Sequence, residues 1–296
     1  MRNFRTLVLG AMLMSLHCPV WGQARFATPD EAVRGLLQAC KATDGSQLLQ
    51  LFGSGSEDLV SSGNPEADRV GRREVVRAAK ESWRLQDDGD RKVIVMGKEG
   101  WSFPVPLMRQ DNRWTFDMIR GRQEVLTLRI GADELETISM LRRLQDAQTV
   151  YASRDRDGDG VLEFSSNFVS APGQRDGLYW NPSLGEPSPL EQMASQAREY
   201  GQARTPDQPY YGYRYRILFG QGAAAAGGAY DYRINGNLIG GWAIVAYPAD
   251  YGKSGLTTFL INQNGTLFEK DLGSESAPLG TSMTLFEPDV TWTVVK

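Results

Sequence analysis

The chain has 296 residues, 32 Lys and Arg against 36 Asp and Glu, a formal charge of −4 and a hydrophobic share of 41%. That balance fits globular protein rather than a disordered chain, and the acidic net charge is opposite to that of a general nucleic-acid binder. One histidine, His17, and two cysteines, Cys18 and Cys40, leave little room for His-dependent chemistry.

Residues 1–24 read MRNFRTLVLGAMLMSLHCPVWGQA. Arg2 and Arg5 give a positive start and Leu7–Leu16 is almost wholly apolar. Gly22 and Ala24 place small residues where a signal peptidase cutting after Ala24 needs them, so the segment predicts a cleaved secretory signal and a periplasmic or extracellular protein. The apolar run is too short to cross about 30 Å of hydrocarbon, and no transmembrane anchor is expected after cleavage. A chain starting at Arg25 has no histidine and only Cys40. It therefore holds no Ser-His-Asp or Cys-His pair, no intramolecular disulfide and no His/Cys zinc site.

Residues 25–120 are expected to form an α+β domain. Thr28, Pro29 and Glu31 form a helix start, and Val33, Leu36, Leu37 and Cys40 supply one apolar face. A shorter helix is expected over Gln47–Phe52, a loop over 53–68 and a helix from Gly71 to Trp83. KVIVMG is a strand, rich in β-branched residues. WSFPVPLMRQDNRWTFDMI gives two strands around a turn at Asp111-Asn112, with Pro104 and Pro106 pointing to an edge or irregular first strand.

Residues 121–296 are expected to form a long helix packed on an antiparallel sheet. Leu126, Ile130, Leu135, Ile138, Leu141, Leu144 and Ala147 mark the helix over 124–151, with Gly131 as a possible break and Asp133 as a restart. A loop rich in Pro and Gly covers 170–189, and a short helix Pro189–Tyr200. Strands are expected at 210–218, 238–247, 256–262 and 266–270, with turns at Asn235-Gly236 and Asn264-Gly265 and TWTVVK at the edge.

DRDGDG carries the sharpest local chemistry. Asp155, Asp157 and Asp159 fall at positions 1, 3 and 5 of a calcium loop, Gly160 at 6, the Val161 carbonyl at 7 and Glu163 at 9. Position 12 is Ser166 in place of a bidentate Glu, so a calcium ion would be held weakly; the alternative is a solvated acidic turn. Arg175 and Asp176 with Tyr179 and Trp180 read either as a groove or as loop packing. Alternation along a strand puts Tyr211, Tyr213 and Tyr215 on one face. Glu163, Asp176, Asp231 and Glu269 are the carboxylates from which a glycosidase pair would be drawn, and Lys253-Ser254 is a possible dyad. None of these defines a catalytic constellation. The reading is an envelope protein with a structural, binding or assembly role and an envelope protein or polymer as partner. The alternatives are a carboxylate-dependent hydrolase of an envelope polymer and a calcium-stabilised ligand-binding protein.

The stretches SEDLVSSGNPEADR, YASRDRDGDGVLEF, RDGLYWN, PYYGYRYRIL, GGAYDYRINGNLIGGWAIVAYPADYGKSGLTTFLINQNG and KDLG resemble the bacterial exported family named domain of unknown function 2950. That resemblance implies no activity and no catalytic residues. The second half also resembles the globular head of type IV pilins and type II secretion pseudopilins, with 133–151 as the helix and 210–269 as the sheet. It departs from them in carrying residues 25–132 ahead of that helix, where a pilin has its apolar N-terminal helix.

Overall fold

The computed structural model describes residues 22–61, 65–156, 158–191 and 208–295. Its two compact units divide between Val125 and Leu126.

In the first unit, α1 (Pro29–Cys40) begins as its cap dictates. The Thr28 hydroxyl accepts from the Glu31 amide at 3.2 Å, and the Glu31 carboxylate accepts from the Ala27 amide at 3.0 Å, satisfying donors the first turn would leave orphaned. α2 (Ser46–Phe52), α3 (Glu57–Val60) and α4 (Pro65–Glu81) follow. The strands are β1 (Trp83–Asp88), β2 (Arg91–Met96), β3 (Trp101–Ser102), β4 (Leu107–Gln110) and β5 (Arg113–Phe116), all antiparallel, in the order β1-β2-β4-β5 with β3 on β2. Two expectations are corrected. The loop expected over 53–68 contains α3 and the first turn of α4, and Trp83 opens a strand instead of closing a helix. Pro104 and Pro106 lie between β3 and β4, where the ladder is interrupted. Asp111 and Asn112 both have positive φ, 50° and 58°, the conformation of a tight two-residue hairpin. Val33, Leu36, Leu48 and Phe52 pack with Ile94, Met96, Leu107 and Phe116 to form the core.

The segment ahead of α1 is sewn into this unit. Gln23 Nε2 donates to the Phe116 carbonyl at 2.5 Å, the Ala24 amide to Leu51 at 3.2 Å, and Thr115 Oγ1 to the Ala24 carbonyl at 3.2 Å. Phe26 and Trp114 exchange backbone bonds at 2.8 Å in each direction.

Helix α5 (Met118–Ala152) runs 35 residues without a break and passes the division between the units. Gly131 does not interrupt it; one glycine costs about 1 kcal/mol against alanine, less than propagation through the flanking turns restores. In the second unit α5 buries Met140, Leu141, Leu144, Ala147 and Tyr151, a stripe at steps of three and four. The strands are β6 (Tyr213–Leu218), β7 (Gly220–Gln221), β8 (Tyr230–Asp231), β9 (Arg233–Ile234), β10 (Asn237–Leu238), β11 (Ala243–Pro248), β12 (Thr257–Asn262), β13 (Leu267–Asp271) and β14 (Thr293–Val294). The main sheet has the antiparallel order β14-β13-β12-β11-β6; β7-β8 and β9-β10 are separate two-stranded ribbons. Every residue of β11 is buried, because it is central and α6 (Ser276–Ser282) packs on its Tyr247. That accounts for its unbroken apolar run. The β12–β13 hairpin turns through Gly265, whose amide reaches the Asn262 carbonyl at 2.9 Å.

The tyrosines divide differently from the expectation. Tyr213 and Tyr215 lie on β6 and bond to α5, whereas Tyr211 precedes the strand with φ 47° and is 37% exposed. Beyond Glu191, the helix expected over 189–200 falls outside the described residues. The chain is an α+β protein with N-terminal helices on a small sheet, one long helix and a C-terminal antiparallel sheet. Among the described residues, no helix is long and apolar enough to cross a membrane.

Candidate functional site

The C-terminal end of α5 leaves carbonyls without intrahelical partners, and Arg156, four residues past Ala152, returns to them. Arg156 Nε donates to the Tyr151 carbonyl at 3.4 Å and Nη2 to that of Val150 at 3.3 Å. Its Nη1 donates to Glu186 Oε1 at 2.8 Å, as does Arg154 Nη1 at 2.9 Å, and Arg175 approaches Oε2 at 3.6 Å. The Arg156 side chain is only 6% exposed and lies 5.6 Å from the centre of the Trp180 ring, a favourable cation–π arrangement for a desolvated guanidinium. Trp180 Nε1 donates to the Glu186 carbonyl at 2.7 Å. The hydrogen bond from Arg156, aided by the neighbouring arginine charges, holds the Glu186 carboxyl below the usual carboxylate range.

This knot borders a cleft of about 490 Å³ lined by Val150, Ser153, Arg154, Arg156, Glu186, Ser188, Glu191 and flanking prolines. Arg154 keeps 68% of its side chain in solvent. Ser188 is 95% buried, yet its hydroxyl has no hydrogen-bond partner among the described residues. A buried hydroxyl without a partner is costly, and this one borders an open space.

The acidic loop leads out of the same helix end. Asp155 accepts from the Gly158 amide at 2.7 Å and the Gly160 amide at 2.9 Å; both glycines have φ 85°. Asp159 accepts from the Val161 amide at 2.8 Å and from Asn237 Nδ2 at 2.6 Å, and Glu163 from the Leu238 amide at 2.8 Å. Asp155 therefore faces the loop's own amides while Asp159 and Glu163 turn to β10. Asp157 lies outside the described residues. Among the described residues, no group of three or more His, Cys, Asp or Glu is placed to hold a metal ion.

The remaining sequence candidates are dispersed. Arg175 bonds to the Leu184 carbonyl and approaches Glu186, not Asp176, whose carboxylate accepts from the Ala171 amide at 2.9 Å. Trp180 is 1% exposed and belongs to the core. Asp231 accepts from the Arg233 amide, and Glu269 stands on β13 opposite Phe259. Lys253 and Ser254 both bond to Asp250 within one turn.

Two carboxylates on α5 had no chemical role in the sequence reading. Glu134 Oε1 accepts from the Leu256 and Thr257 amides, both at 3.0 Å, and from Tyr213 at 3.5 Å, tying the helix to β12 and β6. Beside it, burial pushes the Asp133 carboxyl from 3.8 up to about 6 against the pull of Arg129. Burial also raises the hydroxyls of Tyr213 and Tyr215 well above the ordinary tyrosine range. No signal in the sequence distinguishes these carboxylates from solvated helix residues. The Arg156–Glu186 pair was missed for the same reason: its partners are separated by loop.

No curated protein and no solved structure matches the chain. One family does, across residues 23–295 and thus through both units. The chain belongs to the family described as Protein of unknown function (DUF2950).

Proposed function

We propose that this is an exported cell-envelope protein that binds a polar, carboxylate-bearing ligand, such as an acidic oligosaccharide of an envelope polymer, without transforming it. The cleft at the end of α5 carries the reading. Arg154 offers exposed guanidinium donors to a carboxylate, Glu186 presents acceptor oxygens, and the Ser188 hydroxyl, without a partner among the described residues, is the group a ligand would satisfy. A role without turnover is supported by how Glu163, Asp176 and Asp231 are used: each accepts from a backbone amide and serves its local turn or strand. Export rests on residues 1–24, and the pilin-head likeness of the second unit on its order of long helix, loop and antiparallel sheet.

Ser188→Ala tests the cleft in two directions. Removing a buried, unsatisfied hydroxyl raises stability by about 1 kcal/mol. The same change weakens binding of carboxylated envelope oligosaccharides about tenfold in titration calorimetry, equivalent to about 1.4 kcal/mol. Unchanged affinity in that variant, or turnover of such a polymer abolished by one carboxylate substitution in a folded variant, would overturn the proposal.

Calcium binding at 155–163 is a second reading. It rests on the calcium-loop spacing of the aspartates in DRDGDG.

A further inference from the structure

Helix α4 carries Arg69, Arg72, Arg73 and Lys80 at steps of three, four and seven, which places them on one stripe. This stripe and the residues that follow α1 enclose a cleft of about 490 Å³. Six cations line it (Lys41, Arg69, Arg72, Arg73, Arg77 and Lys80), and no carboxylate does among the described residues. The concentration runs against the chain's net charge of −4. Some of the charge is neutralised from the rim: Glu66 pairs with Arg69 at 2.6 Å and Arg73 at 3.9 Å, and Arg77 pairs with Glu74 at 2.7 Å and Glu81 at 2.9 Å. Lys41, Arg72 and Lys80 carry no ion pair among the described residues. Arg72 spends one donor on the Thr43 carbonyl at 3.2 Å, and its Nε is shielded from solvent without an acceptor among the described residues. A guanidinium N–H withdrawn from water and left unbonded is unfavourable. An anionic oxygen in the cleft would remove that penalty.

From this arrangement we infer that the α4 cleft binds a phosphoryl-bearing ligand. Arginine forks match phosphate oxygens, and a compact anion with two or more charges makes use of several converging cations where a single carboxylate does not. Walls of one charge sign focus the field on such an anion. The volume exceeds that of bare phosphate, and Ala42 and Val76 supply an apolar border for an attached body. The phosphoryl group can come from a free phosphoester or from a lipid headgroup.

The test uses the full exported chain with inorganic pyrophosphate at constant ionic strength, read by titration calorimetry and thermal melting. A saturable isotherm and a raised Tm are expected. The exposed pair Lys41→Gln/Lys80→Gln should weaken binding about tenfold while its circular dichroism and ligand-free Tm match the parent. Arg72→Lys keeps the charge but removes the fork and should also weaken it. Vesicles of phosphatidylglycerol in phosphatidylcholine distinguish the sources: binding competed away by pyrophosphate assigns the headgroup, and pyrophosphate binding without vesicle binding assigns the free ester. The inference is overturned if the variants bind pyrophosphate as well as the parent does. It is equally overturned if pyrophosphate does no more than sodium chloride at equal ionic strength, or if pyrophosphate fails to compete with vesicle binding.

Discussion

Asp133 is a residue whose environment opposes its charge. Glu134 stands beside it on α5, Tyr213 and Tyr215 face it from β6, and among the described residues Arg129 favours the carboxylate. Because its folded pKa is raised from 3.8 to about 6, the unfolded chain releases this proton first as pH climbs. The stabilising contribution of the protonated group is complete below pH 3.8 and is lost as pH rises through about 6. Asp133→Asn removes the cost of burying the charge. Melting curves should show it more stable than the parent by about 1–2 kcal/mol at pH 7.5, allowing for the solvent that still reaches the group, with no gain at pH 3.5. A gain of equal size at both pH values would mean that the change acts through packing and not through ionisation.

At the scale of elements, the acidic loop after α5 yields a metal-dependent prediction. With calcium at about 10 mM, ten times the weak end of extracellular sites, the parent should melt higher than in chelator. Asp155→Ala/Asp157→Ala should lose that difference. Equal melting of the parent with and without calcium would leave the loop as a turn held by its own amides and by β10. The elements legible in the sequence share one property: their signals lie within a few residues of one another. Thr28-Pro29-Glu31 announces α1, Asn264-Gly265 announces the β12–β13 turn, and the Leu/Ile stripe announces α5. The illegible elements depend on distant partners. WRLQDD becomes β1 because all six of its residues pair with β2. SAPLGTS contains Pro278 and Gly280, poor helix formers, yet forms α6 because Arg216 Nη1 reaches the carbonyls of Gly280, Thr281 and Met283 at its C-terminal end and Tyr247 bonds to Thr281. The cleft was illegible in the same way: Arg156 and Glu186 meet across a loop, and nothing local in either stretch names the other. The acidic loop, by contrast, was visible as a motif, but the turn of Asp159 and Glu163 toward β10 was not, since it depends on Asn237 and Leu238.

For the molecule as a whole, the beginning of the folded chain bears on how it is processed. A cut after Ala24 would remove the bonds that Gln23 and Ala24 make to Phe116, Leu51 and Thr115, leaving the Phe26–Trp114 exchange to hold the segment. A cut after Gly22 keeps them all and puts a small residue at the last position, with the larger Val20 at the other specificity position. If residues 1–22 are a leader that is removed, intact-mass measurement should therefore find Gln23 as the first residue; a start at Arg25 would show those bonds to be dispensable, and a chain that keeps residues 1–22 would refute the leader. A terminal glutamine has a chemistry of its own. Its α-amine can attack the side-chain Cδ, expel ammonia and close a lactam ring. In the folded protein, Nε2 is anchored on the Phe116 carbonyl, so ring closure must first break that bond and sacrifice the leaving nitrogen's role as donor. An unfolded terminus has no such brake. If cleavage does expose Gln23, the fraction of chains ending in the lactam would act as a clock, recording how long each population waited between cleavage and completion of its fold.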